Sequence, residues 1–310
     1  MSETPAPDRA HRCGFVTLIG RPNVGKSTLL NQMLGEKLAI ISHRPQTTRN
    51  RIPGVLTRPD AQVVLIDTPG LHRADRALNA YMVEVAHDAL WQTDAVALIV
   101  EAGIGKQDEV GVGETVEALL PQLTELGKPV VLVLNKIDRI DKPRLLPIIA
   151  AWREVFPFTA IVPISALSGD GVEALIGELV KVMPEGPALY AEDALTDLPE
   201  RFIAAELIRE KLFHRLEAEV PYSTAVTIES WADRSRAGAV DIEALIHVER
   251  ESQKGIVIGK GGQMIKTIGT QARLDLERML GTRVNLRLFV RVEKAWTQTP
   301  GSLRKLGYES

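Results

Sequence analysis

From residue 15 onward, short and nearly all-apolar runs rich in β-branched residues alternate with longer segments whose apolar residues recur at i, i+3 and i+4. The runs 15–19, 63–66, 95–100, 130–134 and 160–163 predict strands buried on both faces of a parallel sheet, because a half-exposed strand would alternate polar and apolar residues instead. The segments 28–34, 78–90, 115–126, 145–156 and 172–183 predict the helices between them. Strand and helix in strict alternation predict a doubly wound α/β sheet. Residues 51–57 predict an additional edge strand, since Pro53 has no N–H to give to a central ladder.

The pattern breaks after residue 183. Residues 183–200 hold three prolines and a glycine among acidic residues and predict a linker. An amphipathic helix over 201–218 then precedes two runs, 225–231 and 240–248, that predict a β-hairpin around the turn at 235–238. A glycine-rich turn at 259–262, a helical run over 263–280 and an alternating strand over 284–292 complete a small α+β domain. The expected organisation is a loose tail over 1–12, a first domain over 13–183, a linker over 184–198, a second domain over 199–296 and a C-terminal tail over 297–310.

Composition narrows the function classes. Of 310 residues, 45% are hydrophobic and 25% charged, which excludes a wholly disordered or low-complexity chain. The longest apolar run has six residues, against about 20 for a membrane-spanning helix. The N-terminus has no apolar core of a secretory signal. Cys13 is the sole cysteine, so an intrachain disulfide is impossible and a cytoplasmic setting is expected. The net charge of −3 divides unevenly: residues 1–198 carry 19 basic and 25 acidic residues, residues 199–310 carry 18 and 15. A basic second half is compatible with a polyanionic partner.

Candidate chemistry begins at Gly20, Arg21, Pro22, Asn23, Val24, Gly25, Lys26, Ser27 and Thr28, which fit G-x-x-x-x-G-K-[ST] between a predicted strand and a predicted helix. Glycines let successive N–H groups turn toward phosphate, and the helix N-terminus adds positive dipole. Lys26 is expected to reach the β- and γ-phosphates, and Ser27 to ligate Mg²⁺. Asp67, Thr68, Pro69 and Gly70, followed by Leu71, end a second buried strand. Asp67 is placed to hold a Mg²⁺-bound water and Gly70 to sense a γ-phosphate. Between the two motifs, Thr48 is preferred to Thr47 as the residue that completes the metal shell. Asn135, Lys136, Ile137 and Asp138 end a third strand. A carboxylate there can accept two hydrogen bonds from the N1–H and 2-amino group of guanine, which adenine lacks. Ser165 and Ala166, after the next strand, are expected to place N–H groups near the guanine O6.

These motifs together resemble the translation-factor-related GTPases, and in particular the Era family, whose members join a GTPase domain to a C-terminal KH domain. The second half fits the resemblance: Ile258, Gly259, Lys260, Gly261 and Gly262, with Lys266 shortly after, resemble the KH signature. There two glycines let a nucleic-acid backbone approach, the lysines meet phosphates, and an apolar groove takes unstacked bases. The fold implied is a P-loop GTPase doubly wound sheet followed by a small type II KH domain. The activity implied is hydrolysis of GTP to GDP and phosphate with Mg²⁺. The implied partners are the 3′ end of small-subunit ribosomal RNA and the small subunit, whose maturation such proteins assist, with peripheral association with the inner face of the cell membrane. A monomer is expected. The alternative reading is an RNA-binding GTPase that acts on another RNA, such as a tRNA-modification partner.

Hydrolysis poses a further question. Leu71 stands where Ras-type GTPases carry a water-orienting Gln, so slow intrinsic turnover is expected. Related GTPases ligate K⁺ through an Asn at the position of Asn23, in the place of an arginine finger, and the resemblance implies K⁺ as a further cofactor. With Lys26 and Thr48, Asn23 completes the expected catalytic set.

Overall fold

The structure, a computed structural model, describes residues 11–70, 76–103, 113–234 and 238–308. The chain divides into two compact units. The first comprises residues 1–39, 48–72 and 85–197; the second comprises 40–47, 73–84 and 198–310.

The first unit is built on β1 (Arg12–Ile19), α1 (Lys26–Leu34), β2 (Ile52–Arg58), β3 (Ala61–Asp67), α2 (Ala77–Trp91, whose first half falls in the second unit), β4 (Ala95–Glu101), α3 (Glu114–Glu117), α4 (Leu120–Leu126), β5 (Val130–Asn135), α5 (Leu145–Val155), β6 (Ala160–Pro163) and α6 (Val172–Val182). The six strands lie in the order β2-β3-β1-β4-β5-β6. All neighbours pair in parallel except β2, which runs antiparallel to β3 at the edge. Strands β3 and β5 are buried at every position, and β4 at all but its last. On one face, Leu119, Leu123 and Trp152 pack on Val96, Leu98, Val130 and Leu132. Helices α1 and α6 cover β1 and β3.

The helix expected over 115–126 is two short helices instead. Pro121 sits in the first turn of α4 and has no N–H for an i→i−4 bond, so an uninterrupted helix cannot pass through it. Residues 184–198 lie along the β2 edge. The Val55 N–H donates to the Leu195 carbonyl at 2.8 Å, and Thr196 Oγ1 to the Pro53 carbonyl at 2.6 Å. The buried Gln62 carboxamide takes the N–H groups of Leu189 and Tyr190 at 2.8 and 2.9 Å. These bonds satisfy groups that an open sheet edge would leave unpaired.

The second unit continues with α7 (Glu200–Arg215), β7 (Ala225–Arg234), β8 (Ala239–Val248), α8 (Glu251–Ile258), α9 (Gln263–Leu280), β9 (Arg283–Val292) and α10 (Pro300–Lys305). Its sheet has the order β7-β8-β9, with β7 antiparallel and β9 parallel to β8. Ile208 and Leu212 of α7, Ile268 and Ala272 of α9, and Ala244, Ile246 and Val248 of β8 form its core.

Two terminal stretches differ from their expectation as tails. His11 and Arg12 are held: the Arg12 Nη1 donates to the Met183 carbonyl at 2.7 Å, and Arg12 opens β1. At the other end, α10 buries Leu303, and Tyr308 beyond it is buried as well. Trp296 is fully buried, stacks on Tyr308 with ring centroids 5.7 Å apart, and donates its indole N–H to the Ser223 carbonyl at 3.0 Å. The polar composition of 297–310 hides this anchoring, which rests on two aromatic rings. Replacement Trp296→Ala is expected to destabilise the second unit by about 3–5 kcal/mol, and a urea titration followed by circular dichroism reads it. An unchanged midpoint would show that the C-terminal segment contributes nothing to the core.

Candidate functional site

The expected nucleotide residues collect at the C-terminal ends of β1, β3, β5 and β6, where open α/β sheets bind ligands. The loop after β1 wraps the head of Lys26: Nζ donates to the carbonyls of Gly20 and Arg21, each at 3.2 Å. Lys26 is buried, and burial lowers its pKa to about 8 against the opposing pull of Asp67. A buried ammonium with two carbonyl acceptors among the described residues is poised to gain from an anion. Asn23 is exposed and takes a left-handed backbone with φ 63°. Gly25 has φ 102°, and a Cβ there would stand 2.3 Å from Asn135 Nδ2, so no other residue fits. Thr28 lies in the first turn of α1.

The candidate metal ligands meet directly. Ser27 Oγ donates to Asp67 Oδ2 at 2.6 Å and lies 2.9 Å from Thr48 Oγ1, which itself donates to the same Asp67 oxygen at 3.1 Å. Thr48 is buried, whereas the backbone carbonyl of Thr47 turns away to Arg209. Burial raises the pKa of Asp67, and Lys26 and the two hydroxyls oppose that shift. Its second oxygen, Oδ1, is buried and accepts no hydrogen bond from a side chain among the described residues. Two hydroxyls and a carboxylate with a spare buried oxygen form an all-oxygen donor set, which suits Mg²⁺. Beside it, Thr68 Oγ1 donates to the Leu18 carbonyl at 2.8 Å, Pro69 is buried, and Gly70 lies against Pro22. Leu71 lies outside the described residues.

The candidate base-reading loops are joined by one side chain. Asn135 is buried; its Nδ2 donates to the Val24 carbonyl at 2.7 Å, and its Oδ1 accepts from the Lys136 and Ala166 N–H groups at 2.8 and 2.9 Å. It therefore ties the phosphate loop to the loops after β5 and β6, a role that the bare motif does not announce. Lys136 has a left-handed backbone and pairs with Glu101 at 2.8 Å. Glu101, at the end of β4, was missed from sequence, where its strand-end position is the only signal. The Ile137 N–H donates to the Ile164 carbonyl at 3.2 Å, Ser165 is buried, and Asp138 projects exposed from a short 3₁₀ turn.

In the second unit, residues 259–262 join α8 to α9 as expected. Gly259 has φ 73°, and a Cβ would stand 2.6 Å from Met264 Cβ, so the turn demands glycine. Lys260, Gly261 and Lys266 are exposed, Gly262 and Ile258 are half-buried, and Ile256 adds exposed apolar surface beside them. Among the described residues no cluster of His, Cys, Asp and Glu could hold a metal ion, and no helix is long and apolar enough to cross a membrane.

Residues 15–136 match a family described as 50S ribosome-binding GTPase, and residues 219–297 match the KH domain. GTPase Era of Geotalea uraniireducens is 52% identical over 302 residues, with 97% of this chain and 99% of the relative covered. GTPase Era of Lacticaseibacillus paracasei is 48% identical, with 97% and 98% covered. Among solved structures, Era in complex with MgGDPNP and nucleotides 1506–1542 of 16S ribosomal RNA is 40% identical with a TM-score of 0.91, covering 97% of this chain and all of that one. A single-residue variant of Aquifex aeolicus Era bound to GDP·AlF₄⁻ is equally similar, with 40% identity, a TM-score of 0.91, and 96% of this chain and all of that one covered. With half of its residues shared over nearly its whole length, the chain belongs to the GTPase Era family: it is a GTPase with a C-terminal KH domain.

Proposed function

We propose that this GTPase is a nucleotide-driven switch that binds the 3′ end of small-subunit ribosomal RNA through its KH domain and assists maturation of the small subunit. The observation that carries the switch is the cluster of Ser27, Thr48 and Asp67 beside the buried Lys26. The RNA reading is supported by the exposed lysines of the 259–266 segment and by the ribosomal RNA held by the solved relative.

Ser27 and Thr48 would hold Mg²⁺ directly, with Asp67 on a metal-bound water. The cation, when bound, neutralises charge that develops on the β- and γ-phosphate oxygens. Lys26 and the N–H groups of 20–28 meet the remaining phosphate charge. Asp138 accepts from the guanine edge, the loop at Ser165 and Ala166 faces O6, and Asn135 keeps both loops in register with the phosphates. Leu71 cannot hydrogen-bond a water, so turnover without help is slow. Asn23, exposed on the phosphate loop, would bring K⁺ to the transferred phosphoryl group. The family resemblance supports three further parts of the reading: a cytoplasmic location, a monomeric state and peripheral association with the inner face of the cell membrane.

Four measurements test these assignments. Asp138→Asn should weaken GTP by about a hundredfold, the value of two hydrogen bonds to a charged acceptor, and should improve binding of xanthosine triphosphate; calorimetry with both nucleotides reads it, and undiminished GTP affinity would remove Asp138 from base recognition. Turnover should be faster in K⁺ than in Na⁺ for the wild type and alike in both for Asn23→Ala; equal wild-type rates would end the K⁺ assignment. Crosslinking to total cellular RNA should enrich small-subunit ribosomal RNA, and Lys260→Ala and Lys266→Ala should each reduce the salt slope of RNA binding by about 1. Preferential recovery of transfer RNA would favour the alternative reading instead.

A further inference from the structure

The short 3₁₀ turn Ile137–Arg139 carries Asp138, and a cation stands on each side of that residue, Lys136 before it and Arg139 after it. One carboxylate reaches both cations. Glu101 Oε2 accepts from Lys136 Nζ at 2.8 Å, and Glu101 Oε1 lies 3.6 Å from Arg139 Nη1. Glu101 ends β4, directly opposite Asn135 of β5 in the parallel register, and the Ala102 N–H donates to the Asn135 carbonyl at 2.8 Å. The grip on the turn is therefore mounted on the sheet. The side chains of Glu101 and Lys136 are 27% and 20% exposed, against 61% for Arg139, so the first pair is the less screened and carries most of the grip.

Lys136 holds a left-handed backbone, with φ 65°. A residue with a Cβ keeps that conformation only where its surroundings over-determine it. At Lys136 the Asn135 carboxamide fixes the backbone N–H, and Glu101 fixes the end of the side chain. The Arg139 N–H donates to the Lys136 carbonyl at 3.0 Å, so the turn closes on the residue that Glu101 holds. The second effect is electrostatic. Asp138 is exposed, and its carboxylate takes no hydrogen bond among the described residues. A lysine or arginine released beside it would pair with it and occupy the oxygens that a base has to reach. Glu101 offers both cations a competing negative charge.

We propose that Glu101 is a positioning residue for Asp138: it anchors the turn and draws both flanking cations off the carboxylate, which leaves that carboxylate open to the base. The inference rests on the reading of Asp138 as the acceptor of the guanine N1–H and 2-amino group. The base is common to di- and triphosphate, so Glu101 acts alike on both. Its effect falls more heavily on guanine, which offers Asp138 two donors, than on hypoxanthine, which offers one.

The test uses the full chain with Mg²⁺, and calorimetry with GDP, inosine diphosphate and a non-hydrolysable GTP analogue. Glu101→Gln keeps the shape of the side chain and removes its charge. It should weaken GDP by about fivefold and the GTP analogue by the same factor, and narrow the preference for GDP over inosine diphosphate by about threefold. Glu101→Asp keeps the charge but, one methylene shorter, cannot span both cations; its preference should fall between those of the wild type and Glu101→Gln. In an Asp138→Asn background Glu101→Gln should cost nothing further, because both changes act on one interaction. If Asp138→Asn narrows the preference and Glu101→Gln does not, the inference fails and the base-recognition reading stands. If Asp138→Asn leaves the preference unchanged, the reading itself fails. Equal loss of GDP and inosine diphosphate in Glu101→Gln, or additive losses in the double variant, would reduce Glu101 to a structural role and overturn the inference. Should Glu101→Gln fail to fold, an unchanged preference in Glu101→Asp overturns it.

Discussion

The nucleotide site depends on a buried carboxamide. Asn135 joins the Val24 carbonyl, the Lys136 N–H and the Ala166 N–H, three groups from three loops that follow different strands. A phosphate loop and a base-reading loop are useful together only if their separation is fixed to a fraction of an ångström. The parallel sheet sets that separation coarsely through its strand spacing. Asn135 sets it finely, with all three bonds between 2.7 and 2.9 Å and the side chain buried away from solvent. Gly25 belongs to the same arrangement, since the amide occupies the space where its side chain would be. On the proposed reading of these loops, guanine selectivity and phosphate binding would be linked through one side chain.

Much of this was legible in the sequence, for a physical reason. Strands buried on both faces cannot alternate polar and apolar residues, so each was visible as an apolar run, and the residue that follows each run lands at the ligand end of the sheet. Asp67 and Asn135 fell into place that way, and Pro53 marked the antiparallel edge. The signal failed where burial comes from a few residues in a polar context. Trp296 and Tyr308 anchor a segment whose composition reads as a tail, and Pro121 divides a helix whose apolar spacing continues across it. The guanidinium of Arg209 was invisible too: on an amphipathic helix an arginine reads as solvent-facing, and only the fold puts Glu206, Phe213 and a carbonyl around it.

The two units carry similar glycine-and-lysine devices placed at different depths. Each has a glycine turn, a helix that starts at the turn, and lysine close by: 20–28 with α1 in one, 259–266 with α9 in the other. In the first, Lys26 is 6% exposed, and its charge is felt at low dielectric. In the second, Lys260 and Lys266 stand in solvent, where salt screens them. On the proposed reading, depth separates a site that distinguishes one phosphate more or less from a surface that follows a phosphodiester chain. On the proposed reading, the charge of a γ-phosphate would meet buried groups in the first, where burial lowers the pKa of Lys26 and raises that of Asp67. An exposed loop has no such sensitivity. If it binds RNA as proposed, it would gain affinity by adding contacts along a polymer and take its selectivity from the apolar surface beside it, where Ile256 is exposed and Ile258 half-buried.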